Sequence, residues 1–197
     1  MNIAVIGLGY VGLQVASALG KLQEVIAFDV NKKRLEELKL GKDVSGEVNK
    51  KNLLKSNLRY TSNEEDLKNV DFYIIAVPTP IDSDNVPDLN LLEKASETVS
   101  KYLSKGNIVV YESTVYPGAT EEVCLPILEL GSGLNINIDF SLGYSPERIN
   151  PGDKLHTFEK IQKVVSASNE AALDTIDSLY KSVVKAGTFR AKNIGII

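Results

Sequence analysis

One cysteine, Cys124, and one histidine, His156, are all that this 197-residue chain holds of either residue. An internal disulfide is therefore impossible, and a His/Cys metal site is not expected. No apolar stretch approaches the ~18–20 residues needed to span a bilayer. The opening "MNIAVIGLGYVG" is apolar but has no basic leader region and no cleavage site, so it reads as a strand and points to a cytoplasmic protein. The net charge is −4, without a basic run to neutralise a phosphate backbone, so nucleic acid is not an expected partner. Neither an internal repeat nor a low-complexity segment is present.

What is present is ordinary for a soluble globular protein: 43% apolar and 24% charged residues. The length fits one domain, or a domain and a piece of another, and is enough to bury a sizeable core. Strand-like and helix-like patterns alternate. Residues 2–7, 24–29, 71–77 and 107–113 are apolar runs of the kind buried in parallel sheets. The spacing of Val11, Val15, Ala18 and Leu22 predicts a helix. So does that of Leu91, Leu92, Ala95, Val99, Tyr102 and Leu103, with Asp88 as its candidate N-cap. A charged helix follows residue 29 and closes at Gly41. Residues 120–130 predict a helix that Pro126 should kink. Strict alternation over 136–144 predicts a strand, as does the 163–168 run, with a closing helix over 169–183. The polar stretch 41–52 is the expected excursion from this regularity. The predicted fold is α/β: a Rossmann-like, doubly wound, mainly parallel sheet with helices on both faces.

The first strand runs into "GLGYVG", a G-x-G-x-x-G formed by Gly7, Gly9 and Gly12. Alone that pattern is weak. Here a strand precedes it, an amphipathic helix follows, and the second strand ends on an acid, Asp29, 17 positions after Gly12. Gly7 permits a tight turn, Gly9 lets the backbone approach a pyrophosphate, and Gly12 lets helix and strand pack closely. The helix N-terminus near Tyr10 and Val11 would hold the phosphates. The Asp29 carboxylate can accept from ribose hydroxyls and would repel a 2′-phosphate, which favours NAD over NADP; Lys32, Lys33 and Arg34 nearby pull the other way. "VPTP" (77–80) and "ESTVYPG" (112–118) join the glycine turn at the strand ends, where such sheets form a ligand cleft.

"AVIGLGYVGL", "VPTP", "ESTVYPGATEEV" and "GYSPERINPGDK" follow one another as they do in the UDP-glucose/GDP-mannose dehydrogenase family, which the chain resembles from residue 2 to about 191. The last two motifs resemble the branch acting on UDP-N-acetylhexosamines. The resemblance implies oxidation of a sugar C6 alcohol to a carboxylate with two NAD, through a cysteine-bound thioester. It implies cofactor contacts from Gly7, Gly9, Tyr10, Val11, Gly12, Asp29, Arg34, Val77, Pro78, Thr79 and Thr114. Thr114 would also place a water or the reacting oxygen, and Glu147 would act as general base for thioester hydrolysis. Glu147, Arg148 and Asn150 would meet the nucleotide sugar. Pro151 stands where UDP-glucose enzymes of the family usually carry a second glutamate, which favours the acetamido-sugar branch.

The family's nucleophilic cysteine and catalytic lysine belong to a C-terminal domain. Cys124, amid aliphatic neighbours in "EEVCLPIL", reads as a small buried hydrophobe, and His156 as a solvated loop residue. Residues 1–190 are thus expected to form the NAD-binding domain, and 191–197 the start of an interdomain region or an aberrant tail, with Ile194, Ile196 and Ile197 as stray apolar residues. Alone, the chain is expected to lack net dehydrogenase activity; the full-length enzyme is expected to be a homodimer. A non-catalytic NAD- or nucleotide-binding module is the alternative. A short-chain epimerase is set aside, because no tyrosine begins a Tyr-x-x-x-Lys.

Overall fold

A computed structural model of the protein describes residues 1–81, 84, 86–146 and 157–196. Five parallel strands lie in the spatial order β3-β2-β1-β4-β5: β1 (Ile3–Ile6), β2 (Val25–Phe28), β3 (Leu58–Thr61), β4 (Phe72–Ile75) and β5 (Ile108–Tyr111). β6 (Ser141–Tyr144) continues the sheet in parallel; β7 (Lys163–Ala167) pairs antiparallel to it, and β8 (Thr188–Arg190) closes the edge parallel to β7. Strand order reverses at β1, so the crevice between β1 and β4 is the topological switch point where such sheets bind ligands.

The apolar runs become the central strands because both of their faces are covered. Ile3 and Val5 of β1 enter one core cluster, with α1 (Tyr10–Leu19) and α6 (Glu170–Lys181). Ala4 and Ile6 enter the other, with α4 (Asn90–Ser100) and α5 (Leu125–Ser132). The charged helix α2 (Lys32–Lys39) and the short α3 (Lys50–Lys55) each start on an asparagine, Asn31 or Asn49, whose side chain accepts a first-turn N–H.

Several expectations change. β3 and β8 were invisible as apolar runs because they are the two sheet edges and present mixed burial. Only the last four residues of 136–144 are a strand. Before it, the Asn135 N–H donates to the Asp139 carboxylate and Asn137 takes φ 61°, a turn whose polar residues mimic strand alternation. Ile138 is accordingly 82% exposed. α1 ends at Gly20, leaving Leu22 outside it and exposed.

Asp88 sits one residue outside the cap of α4, yet its carboxylate accepts the Asn90 N–H at 2.9 Å. The 120–130 helix forms in two pieces: Thr120–Cys124 is π-helical and α5 begins at Leu125, so Pro126 lies in a first turn where its missing N–H costs little. Ile194 is no stray residue; it is buried in the second core cluster. Cys124 is buried too, and burial pushes its thiol up to about 11.

Candidate functional site

β1 delivers the chain into a turn that only glycine permits. Gly7 has φ 91°, and a Cβ on Gly12 would lie 1.9 Å from the Gly7 carbonyl oxygen. Gly9, the cap of α1, supplies no side chain to its first turn, and a Cβ there would meet no protein atom within 4 Å. The first turn of α1 therefore opens onto free space, with N–H groups that have no intrahelical acceptor.

Two cavities adjoin at this turn, sharing Gly9, Val77 and Pro78. One, of about 290 Å³, lies over the ends of β4 and β5 and is lined by Tyr10, Val11, Thr79, Glu112 and Thr114 among others. The Ser113 hydroxyl donates to the Val77 carbonyl and the Thr79 hydroxyl to the Thr114 carbonyl, each at 2.6 Å, so the two loops form one wall. The other cavity, of about 410 Å³, lies over β1 and β2. Gly7, Asp29 and Arg34 line it, and Val30 and Leu91 contribute apolar surface. Leu91, expected in the buried stripe of α4, is 44% exposed.

Asp29 is held by backbone: Oδ2 accepts the Leu8 N–H at 2.7 Å and Oδ1 the Asn31 N–H at 2.8 Å. Each oxygen retains lone-pair capacity for a ligand hydroxyl. Arg34 Nε donates to the Leu8 carbonyl at 3.1 Å, and its Nη2 pairs with Asp43 at 2.7 Å. All the expected cofactor residues thus surround the two cavities except Gly12, whose part is close packing. These residues suit a dinucleotide: the open first turn of α1 offers N–H groups to phosphates, Asp29 a carboxylate to a ribose, and Val30 and Leu91 apolar surface in the same cavity. Glu147, Arg148 and Asn150, like His156 and Pro151, lie outside the described residues.

Two charged pairs escaped the sequence reading. Asp43 sits in the polar 41–52 stretch. Glu112, at the end of β5, pairs at 2.7 Å with Lys163, the first residue of β7, and both side chains are essentially inaccessible. Lys163 Nζ also donates to the Pro146 carbonyl at 2.9 Å. The only signal was a charge at the border of each apolar run, "VVYE" and "KVV".

The sheet order, glycine turn and acid-ended second strand define a dinucleotide-binding domain of the Rossmann type. The sequence model of the UDP-glucose/GDP-mannose dehydrogenase family, NAD binding domain, matches residues 1–184, and the chain belongs to that family. It is 58% identical over 195 residues to Protein CapL of Staphylococcus aureus, covering 99% of this chain and 46% of that protein. It is 52% identical over 197 residues to the UDP-N-acetyl-D-glucosamine 6-dehydrogenase of Salmonella typhi, covering 100% and 46%. Among solved structures, the UDP-D-ManNAc dehydrogenase of Pyrococcus horikoshii superposes with a TM-score of 0.88 at 32% identity, over 98% of this chain and 47% of that one. The chain spans about half the length of the curated relatives it matches.

Proposed function

We propose that this chain is the cofactor-binding half of an NAD-dependent nucleotide-sugar 6-dehydrogenase that oxidises the C6 alcohol of a UDP-N-acetylhexosamine to a uronic acid for surface polysaccharide. The observation that carries the reading is the pair of cavities meeting at Gly9. The apolar one beside Asp29 suits the adenosine, and the one walled by Val77–Pro80 and Glu112–Thr114 suits the reactive end of the same molecule. NAD, when bound, accepts hydride, and two such acceptors are needed to take an alcohol to a carboxylate.

The chain's own residues hold and orient. Thr114, exposed on the wall of the cavity over the ends of β4 and β5, would place a water or the reacting oxygen. Glu147 would serve as general base on that water, and Arg148 and Asn150 would meet the sugar nucleotide. The acetamido-sugar substrate is supported by Pro151 and by the relative of Salmonella typhi named for UDP-N-acetyl-D-glucosamine. Covalent catalysis needs a nucleophile, and Cys124, buried with a raised thiol pKa, is unsuited to that work. No helix among the described residues is long and apolar enough to cross a membrane, and we place the full-length enzyme in the cytoplasm as a homodimer.

Two measurements test this. NADH titrated into the chain should show enhanced fluorescence on binding, whereas NAD with UDP-N-acetylglucosamine should yield no steady NADH. The longer protein containing these residues should release two NADH per uronate, faster with UDP-N-acetylhexosamines than with UDP-glucose. Equal rates on UDP-glucose would reject the branch assignment; steady NADH from the chain alone would reject its incompleteness.

A further inference from the structure

Arg34 occupies a position with two opposite meanings. An arginine just beyond the second strand is the residue type that accommodates a 2′-phosphate, whereas an acid at the strand end selects the free 2′-hydroxyl. Here Asp29 and Arg34 line the same cavity. Their contest is decided by a third residue that lies outside the cavity wall.

The Arg34 side chain is only 10% exposed. Its Nε is spent on the Leu8 carbonyl, its Nη2 on Asp43 and, at 3.4 Å, the Ser45 hydroxyl. Nη1 is buried without a partner among the described residues. Asp43, whose side chain is 1% exposed, is itself fixed: it accepts from the N–H groups of Ser45, Glu47 and Val48 and from the Ser45 hydroxyl at 2.6 Å. The 43–48 turn is wound around one carboxylate, and that carboxylate holds the guanidinium against the glycine turn. Two geometric consequences follow. The Arg34 charge is neutralised by a carboxylate, and its Nε and Nη2 are taken up by the Leu8 carbonyl and Asp43 instead of being free for an incoming phosphate.

We propose that Asp43 is a positioning residue for cofactor choice: by holding Arg34, it keeps the guanidinium from serving a 2′-phosphate and so makes NADP(H) a poor ligand. Asp29 acts on the ribose directly; Asp43 acts through Arg34. The inference rests on dinucleotide binding at this edge and is independent of which sugar is oxidised.

NADH and NADPH are titrated by fluorescence into the wild-type chain, Asp43→Asn and Asp43→Asn/Arg34→Gln, with each fold checked by circular dichroism. Wild type is expected to prefer NADH. Asp43→Asn is expected to narrow the NADH-to-NADPH affinity ratio at least tenfold, with NADPH binding now weakened more steeply by salt, and the double variant is expected to restore the ratio. A merely structural brace would lower both affinities together; an unchanged ratio in Asp43→Asn therefore overturns the proposal. So does a double variant that retains the narrowed ratio, because the effect would then not pass through Arg34. Should Asp43→Asn not fold, Asp43→Ser, which keeps a small acceptor for the turn, carries the same comparison. Wild type that binds neither nucleotide defeats the dinucleotide reading itself; wild type that binds NADH with an unmoved ratio in the variant defeats only the role of Asp43.

Discussion

Two buried ion pairs flank the glycine turn, one beside each cavity, and they are built differently. Arg34–Asp43 is saturated on its acidic side: four donors besides the arginine converge on Asp43. Glu112–Lys163 is more deeply buried, at 0% and 1% exposure, yet thinly supported. Among the described residues, Glu112 Oε1 has no partner, and Lys163 Nζ has only the carboxylate, the Pro146 carbonyl and the face of Phe158, 5.9 Å from the ring centroid. A surface turn can wrap backbone donors around a carboxylate. The end of a central strand cannot, because its N–H groups are committed to the ladder: the Glu112 N–H already serves Ile75. The two pairs therefore differ in what should happen when one partner is removed.

The largest effect is expected at the thinly supported pair. Lys163→Met removes the one cation that pairs with buried Glu112 among the described residues and should cost about 3–5 kcal/mol of stability. The double variant Glu112→Gln/Lys163→Met removes the stranded charge and should recover most of that loss. Urea unfolding of the four-member cycle checks this; a double variant no better than Lys163→Met alone would mean that packing, not charge, sets the cost.

Asp43→Asn should cost less, roughly 1.5–3 kcal/mol, because the neighbouring donors keep an acceptor. Its pH dependence has a definite sign. Burial pushes the Asp43 carboxyl up, but the Ser45 hydroxyl, the Val48 and Ser45 N–H groups and Arg34 outweigh it and hold it below its ordinary value. A depressed folded-state pKa contributes stability that is complete above the unfolded value, about 3.9, and is lost as pH falls through the lower folded value. The deficit of Asp43→Asn relative to wild type should be constant near neutrality and shrink below about pH 4. A deficit that grows on acidification would place the stabilising charge elsewhere.

The same contrast explains what could be read in the sequence. The five-strand parallel half was legible apart from its edge: β1, β2, β4 and β5 bury both faces and so announce themselves as apolar runs. The glycine turn and Asp29 were legible because their roles are fixed by backbone geometry. Asp43 was not, because its partners are mostly N–H groups, which every residue has. Lys163 was not, because its partner Glu112 lies 51 positions away. The 136–144 alternation misled for a related reason: Asn135, Asn137 and Asp139 are polar at strand period but bond a turn.

The smallest effect is expected where an ion pair looks equally good by distance alone. Lys101 Nζ lies 2.9 Å from Glu64 Oε2, little different from the 2.7 Å of the two buried pairs, but the side chains are 55% and 40% exposed. Water solvates either partner when the other is removed, and holding two long side chains in one geometry costs entropy. Lys101→Met should leave the urea midpoint indistinguishable from wild type, and added salt should not separate the two proteins. A measurable loss would show that proximity itself stabilises these contacts, and the distinction drawn between the two buried pairs would then have to rest on distance instead of on what else surrounds the charges.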